Sequence, residues 1–147
     1  MASDTEDLIE VRDSGIHGLG AFARRSVAAG TRIGVYGGRR YTSGESAERD
    51  WDNGLTYVFG FADGSLLDGS DGGNATRHLN HSCAPNCVAF EIEDEAGEPQ
   101  IVIEARRRIR AGEELFIDYA LDIGGDDPAA YLCRCGARNC RGTMAAA

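Results

Sequence analysis

Apolar and β-branched residues come along this chain in runs of four to seven: LIEVR (8–12), GAFAR (20–24), TRIGVY (31–36), LTYVFGF (55–61), SLLD (65–68), CVAFEIE (87–93), QIVIEAR (100–106) and ELFID (114–118). Between them recur turn-forming strings: DSG, AAG, YGG, DNG, ADG, GSDGGN, EAGEP, RAGEE and GGDDP. Short runs rich in Val, Ile, Phe and Tyr, bounded by Gly and Asp, are strand signals, so the pattern predicts a mostly β domain of short strands. One helix is predicted in SGESAERDW, where Ser43 caps and Ser46, Ala47, Glu48 and Arg49 propagate. Residues 1–7 and Ala145–Ala147 read as loose ends. GGDDPAAY (Gly124–Tyr131) reads as a linker, which makes the last fifteen residues a small appended unit.

Length and charge narrow the picture. A chain of 147 residues fits one domain with a core of its own. No apolar run approaches the roughly 20 residues of a membrane span, and the acidic start MASDTEDLIEVRD is unlike a secretory leader. The expected setting is a reducing cytoplasmic or nuclear-type compartment, with no membrane partner; secretion by an unrecognised signal stays open. The net charge is −9, and all fifteen cationic side chains are arginine, with no lysine. That balance argues against direct nucleic-acid binding, which rests on phosphate neutralisation, and suits a basic protein or peptide partner. Arg106–Arg108 with Arg110 reads as a solvated face at a strand end.

Five cysteines cannot all pair within one chain, and in a reducing setting their clustering points to metal. CRCGARNC, with Cys133, Cys135 and Cys140, has spacing suited to tetrahedral zinc but is one ligand short. Cys83, Cys87, His81 or His78, all in RHLNHSCAPNC (Arg77–Cys87), are candidates for the fourth. The same stretch raises a Cys–His nucleophile, but sequence neighbours rarely reach the geometry that chemistry needs. SGIHGLGAFA (Ser14–Ala23) contains G-x-G, yet a β run follows it, which argues against a Rossmann pyrophosphate loop. Its glycines suit either a plain turn or close backbone approach to a flat ligand. ELFIDYA (Glu114–Ala120) reads as a core strand ending in Asp-Tyr.

Taken in order, the G-x-G, GGNATRHLNHSCAPNC, AGEELFIDYA and CRCGARNCRGTM strings resemble the SET-domain protein lysine methyltransferases over roughly residues 8–144. The central N-H-S-C-x-P-N-C and terminal C-x-C-G-x3-C-R-G strings carry the resemblance. It implies a SET domain over 8–122, with short strands in several small sheets and a pseudoknot-like C-terminal crossing, and a post-SET zinc segment over 129–144. It implies a lysine N-methyltransferase using S-adenosylmethionine on a histone or histone-like basic tail. Other classes are a catalytically weak SET module that binds a partner, and a methyltransferase for a non-histone protein. Target choice would then come from the channel mouth or from a homodimer interface.

By the same resemblance, His17, Gly18, Leu19 and Gly20 would hold the cofactor through backbone contacts, with Tyr57, Arg77, Asn80 and His81 completing its site. Tyr119 matches the family's catalytic tyrosine, and Tyr36 the tyrosine lining the lysine channel. Cys83 would join Cys133, Cys135 and Cys140 around structural zinc, leaving Cys87 a buried free thiol. Ile117 holds the product-specificity position, usually aromatic; without a hydroxyl there, multiple methylation is expected. Val35 and Arg39 stand where the family's E-Y-x-G-E motif has glutamates, and His78 where phenylalanine is usual.

Overall fold

The computed structural model describes residues 8–14, 18–42, 44, 58–69, 72–119 and 137–143. Ten strands form in chain order: β1 (Ile9–Asp13), β2 (Leu19–Ala23), β3 (Arg32–Val35), β4 (Arg39–Tyr41), β5 (Val58–Gly60), β6 (Leu66–Asp68), β7 (Asn80–His81), β8 (Cys87–Glu93), β9 (Pro99–Ala105) and β10 (Glu114–Ile117). They make three small sheets, ordered β1-β2-β10-β7, β3-β9-β8 and β4-β6-β5. This is the mostly β domain that the runs predict, and each run contains or overlaps a strand.

The β8–β9 hairpin shows the local logic. Its strands pair from Cys87↔Ala105 to Glu93↔Pro99. The Asp94 carboxylate accepts from the main-chain N–H of Ala96 and Glu98 at 2.9 Å each, and Gly97 supplies the positive φ of 82° that closes the turn. The centre of β9 is fully buried, with Ile101, Val102 and Ile103 at 0–3% exposure, because the strand lies between β3 and β8.

Two apolar clusters fill the interior. The larger joins Ile9, Ala21, Ile33, Leu79, Cys87, Ile103, Ile109, Leu115 and Ile117, with Tyr119 packed against it. The smaller holds Tyr36, Phe61, Leu67 and Ile101. Phe59 and Ala89 touch both clusters and make them continuous.

Two strands and one turn carried no sequence signal. β4 is Arg-Arg-Tyr; its arginines stay exposed and only Tyr41 is buried. β7 is the polar pair Asn-His, buried because it pairs in parallel with β10. The 3-10 turn Ala75–His78 is capped by Asn74, whose carbonyl oxygen accepts from the Thr76 N–H at 3.0 Å. The expected helix after Ser43 and the linker 124–131 lie outside the described residues. The arginines at 106, 107, 108 and 110 are exposed beyond the end of β9, as expected. Among the described residues, no helix is long and apolar enough to cross a membrane.

Candidate active site

The parallel register Phe116↔Asn80 and Ile117↔His81 fixes which way the β7 backbone faces. With the Ser82 N–H donating to the Ile117 carbonyl at 3.1 Å, the peptide groups of Asn80 face β10. Those of His81 therefore point to the opposite side, where no described strand pairs with β7. A main-chain donor and acceptor turned to the edge of a sheet are groups that can read a flat, hydrogen-bonding ligand.

The His81 side chain is used inside the protein. Its side chain is 2% exposed, and Nδ1 accepts the Tyr119 main-chain N–H at 2.9 Å. The neutral tautomer therefore carries its proton on Nε2, which meets Cys83 Sγ at 3.4 Å. Burial lowers the imidazole pKa, with the Arg141 charge adding to it and the Asp118 carboxylate opposing. Asp118 lies 3.6 Å from Nδ1, but its carboxylate is gripped by Arg141, so His81 is best described as neutral rather than ion-paired.

Tyr119 is held by two anchors. Its N–H reaches His81, and its hydroxyl donates to the Leu79 carbonyl at 2.7 Å. Its ring meets the His81 ring edge-on, with centroids 5.4 Å apart. Ile117, two residues earlier, is 3% exposed in the cluster against which Tyr119 packs. Tyr36 is buried in the smaller cluster and meets Phe59 edge-on at 4.6 Å, so Phe59 links the surroundings of the two tyrosines. The Tyr36 hydroxyl lies against Gly69, where a Cβ would collide with it.

The glycine segment is tied to the same centre. Gly18 has a φ of 49°, Leu19 is 49% exposed, and Gly20 is buried. Asn80 Nδ2 donates to the Leu19 carbonyl at 3.1 Å and to Glu114 Oε2 at 3.0 Å, and the Ser14 hydroxyl donates to Glu114 at 2.8–2.9 Å. A Cβ on Gly20 would run into the Glu114 carboxylate, so glycine is required for that approach. Arg77, half-buried in the 3-10 turn, places Nε 3.3 Å from His78 Nε2, and the His78 pKa is lowered by burial and then by the Arg77 charge. His17 and Tyr57 lie outside the described residues.

At the departures from the family's E-Y-x-G-E motif, the Val35 carbonyl accepts from Asn74 Nδ2 at 2.9 Å. Arg39 stacks on the Tyr41 ring at 4.9 Å.

Around the thiols, the chain brings Cys83 and the C-terminal segment together. The Arg141 N–H donates to Cys83 Sγ at 3.3 Å, Asn139 Nδ2 donates to the Cys83 carbonyl at 3.2 Å, and the Gly142 N–H points at Cys140 Sγ at 3.4 Å. With His81 Nε2–H, two N–H groups converge on the Cys83 sulfur. Cys133 and Cys135 lie outside the described residues, and among those described no group of three or more ligand-type side chains gathers at one point. Cys87 is a fully buried free thiol, its pKa pushed up to about 12 by burial, with the Arg107 charge opposing.

The SET domain profile matches residues 18–120. The chain belongs to the SET-domain family. It is 39% identical over 146 residues to human histone-lysine N-methyltransferase 2B, covering 96% of this chain and 5% of that protein. It is 38% identical over 136 residues to the Saccharomyces cerevisiae histone-lysine N-methyltransferase, H3 lysine-4 specific, covering 89% and 12%. To the Drosophila virilis histone-lysine N-methyltransferase trithorax it is 36% identical over 140 residues, covering 92% and 4%. The chain thus spans no more than about an eighth of each of these relatives' own length.

Three side chains of this SET domain hold the site together without having been singled out in the sequence. Glu114 ties the glycine segment to Asn80. Asn86 donates to the Glu114 carbonyl at 2.8 Å and accepts from the Phe116 N–H at 2.9 Å, clasping β10. Asn74 joins the 3-10 turn to β3. All three lie inside the strings that carry the resemblance, but a Glu opening a strand and an Asn beside Pro or Gly fit any turn and pointed to no role of their own.

Proposed function

We propose that this SET domain is a protein lysine N-methyltransferase acting on a histone-like basic tail. The observation that carries it is Tyr119, anchored by its backbone to His81 and by its hydroxyl to Leu79 beside the buried Ile117. S-adenosylmethionine, when bound, supplies an electrophilic methyl group. The residues present fit that cofactor: the outward-facing His81 main chain suits an adenine edge, and exposed Leu19 with close-packed Gly20 suits backbone contact. Asn80 acts here by fixing the Leu19 carbonyl as well as by any direct contact. Arg77, His17 and Tyr57 complete the cofactor side by resemblance.

A lysine ammonium, with pKa about 10.4, has no lone pair to donate. Burial among aromatic side chains disfavours the charged form, and Tyr36, Phe59 and Tyr119 supply such a lining. Tyr119 then orients the neutral amine, which must sit in line and about 3 Å from the carbon it attacks. The aromatic faces also favour the methylated cation after transfer. Ile117 offers no hydroxyl to restrain the amine, so successive methylations proceed on one lysine. Zinc held by Cys83, Cys133, Cys135 and Cys140 is structural in this scheme and takes no part in the chemistry. Residues 8–122 act as the transfer domain, residues 129–144 as the metal-bound tail, and the relatives' histone names favour a nuclear-type setting.

Calorimetry with the methyl donor and its demethylated product, followed by labelled-donor assays on histones and on lysate proteins, tests the reading. Binding with label on histones is expected. Label only on another protein would redirect the substrate. Binding without label would leave a partner-binding module, a reading favoured only by the altered VYGGR segment. Mass spectrometry should find di- or trimethyl-lysine with excess donor; only monomethyl product would overturn the role of Ile117.

A further inference from the structure

We infer that Arg141 is a positioning residue for Tyr119, carrying the state of the cysteine cluster into the transfer site through Asp118. The inference rests on the function proposed above. β10 ends at Ile117, and Asp118 and Tyr119 follow outside the strand. Asp118 and Tyr119 are fixed instead by side-chain anchors. Arg141 grips Asp118 with both terminal nitrogens, NH1 to Oδ2 and NH2 to Oδ1, each at 3.0 Å. A two-pronged guanidinium–carboxylate pair fixes orientation as well as distance. Arg141's own main-chain N–H is at the same time bonded to Cys83 Sγ, and Asn139 bonds the Cys83 carbonyl.

The chain of contacts is therefore short: Cys83 Sγ, the Arg141 backbone, its guanidinium, Asp118 and, next in sequence, Tyr119. Cys140, the residue before Arg141, is itself a proposed metal ligand with the Gly142 N–H on its sulfur. Zinc held by Cys83 and Cys140 would fix the Arg141 backbone, and without it the guanidinium would be free to leave Asp118. The Arg141 and Asp118 side chains are 26% and 36% exposed, so the pair adds little to global stability. Its consequence lies in where Tyr119 sits.

The experiment compares Arg141→Ala, Arg141→Lys and Asp118→Asn in the zinc-loaded protein. Expected for Arg141→Ala is a fall in kcat of about tenfold to 100-fold, the scale set by small misplacements of reacting groups. The KM for the methyl donor should stay within about twofold, in line with a loss confined to the transition state. Zinc content and melting temperature should not change. Arg141→Lys keeps the charge but not the fork, and should recover only part of the rate. In carbon-13-labelled tyrosine spectra, the Tyr119 resonance, assigned through Tyr119→Phe, should shift in both Arg141 variants. An unchanged kcat with an unmoved Tyr119 signal, or a rate loss that tracks zinc loss, would overturn the inference. If the parent protein transfers methyl groups to nothing, the proposed function fails, and the Tyr119 resonance alone still decides the clamp.

Discussion

At the residue scale, chemistry depends on side chains whose partners are far away in sequence. Tyr119 reaches back 40 residues to the Leu79 carbonyl and 38 to His81. Removing only the hydroxyl in Tyr119→Phe keeps the ring packing and deletes one oxygen. Methyl transfer should then fall by about 10²-fold, as for loss of one preorganised polar group, with donor affinity nearly unchanged by calorimetry. Turnover at the parent rate would remove Tyr119 from its role. Cys87 offers a pH prediction of definite sign. Its native pKa, about 12, lies above the ordinary 9.0 because burial disfavours the thiolate. The unfolded chain therefore loses this proton first. The stability the thiol contributes is intact below pH 9 and declines from there towards pH 12, by about 1.4 kcal/mol per pH unit. Cys87→Ala should flatten that alkaline slope in denaturant titrations. The motif residues Asn80, His81, Cys83 and Tyr119 were legible as a set because their types and spacing are rare together. Glu114 and Asn86 lay inside the quoted strings, but nothing there told of their partners 28 to 34 residues away.

At the element scale, the apolar runs marked the strands because each must bury one face. β8 and β9 depart from strict alternation: Ile101, Val102 and Ile103 are buried in succession, so β9 is covered on both faces, and exposed Glu91 and Glu93 share a face with buried Cys87. β4 and β7 escaped that signal because β4 buries only Tyr41 after two exposed arginines, and β7 is a buried polar pair. β7 is ordered by its neighbour β10, and β10 in turn by Asn86, which is 3% exposed. Asn86 meets Phe116 N–H and Glu114 C=O with one amide, while its own carbonyl accepts from the Arg106 N–H at 2.8 Å. Asn86→Ala would strand two main-chain groups near β10, at about 1–3 kcal/mol each. Denaturant midpoints should show a loss of about 2–6 kcal/mol, and Tyr119 should loosen with it. A loss below about 0.5 kcal/mol, the size of an ordinary surface substitution, would mean that β10 is held by packing alone.

At the scale of the molecule, net charge conceals a segregation that geometry brings out. Glu91, Glu93, Asp94, Glu95 and Glu98 crowd the β8–β9 turn, while Arg106, Arg107, Arg108 and Arg110 follow the other end of β9. A seven-residue strand separates the two groups, about 23 Å at roughly 3.3 Å per residue. That distance exceeds the screening length of about 8 Å at physiological ionic strength, so each pole acts on its own surroundings. A cationic tail approaching this SET domain therefore meets an uneven field, with attraction from the acidic excess of the whole chain. Attraction of this kind acts on encounter rather than on the transfer step. For a basic peptide, kcat/KM should fall several-fold between about 50 mM and about 200 mM salt while kcat holds steady. Reversing the hairpin charges in Glu95→Arg/Glu98→Arg should weaken that salt dependence, since it removes acidic surface without touching β7, β10 or Tyr119. A salt-independent kcat/KM in the parent protein would show that the tail is chosen by contacts at the channel rather than gathered by the field.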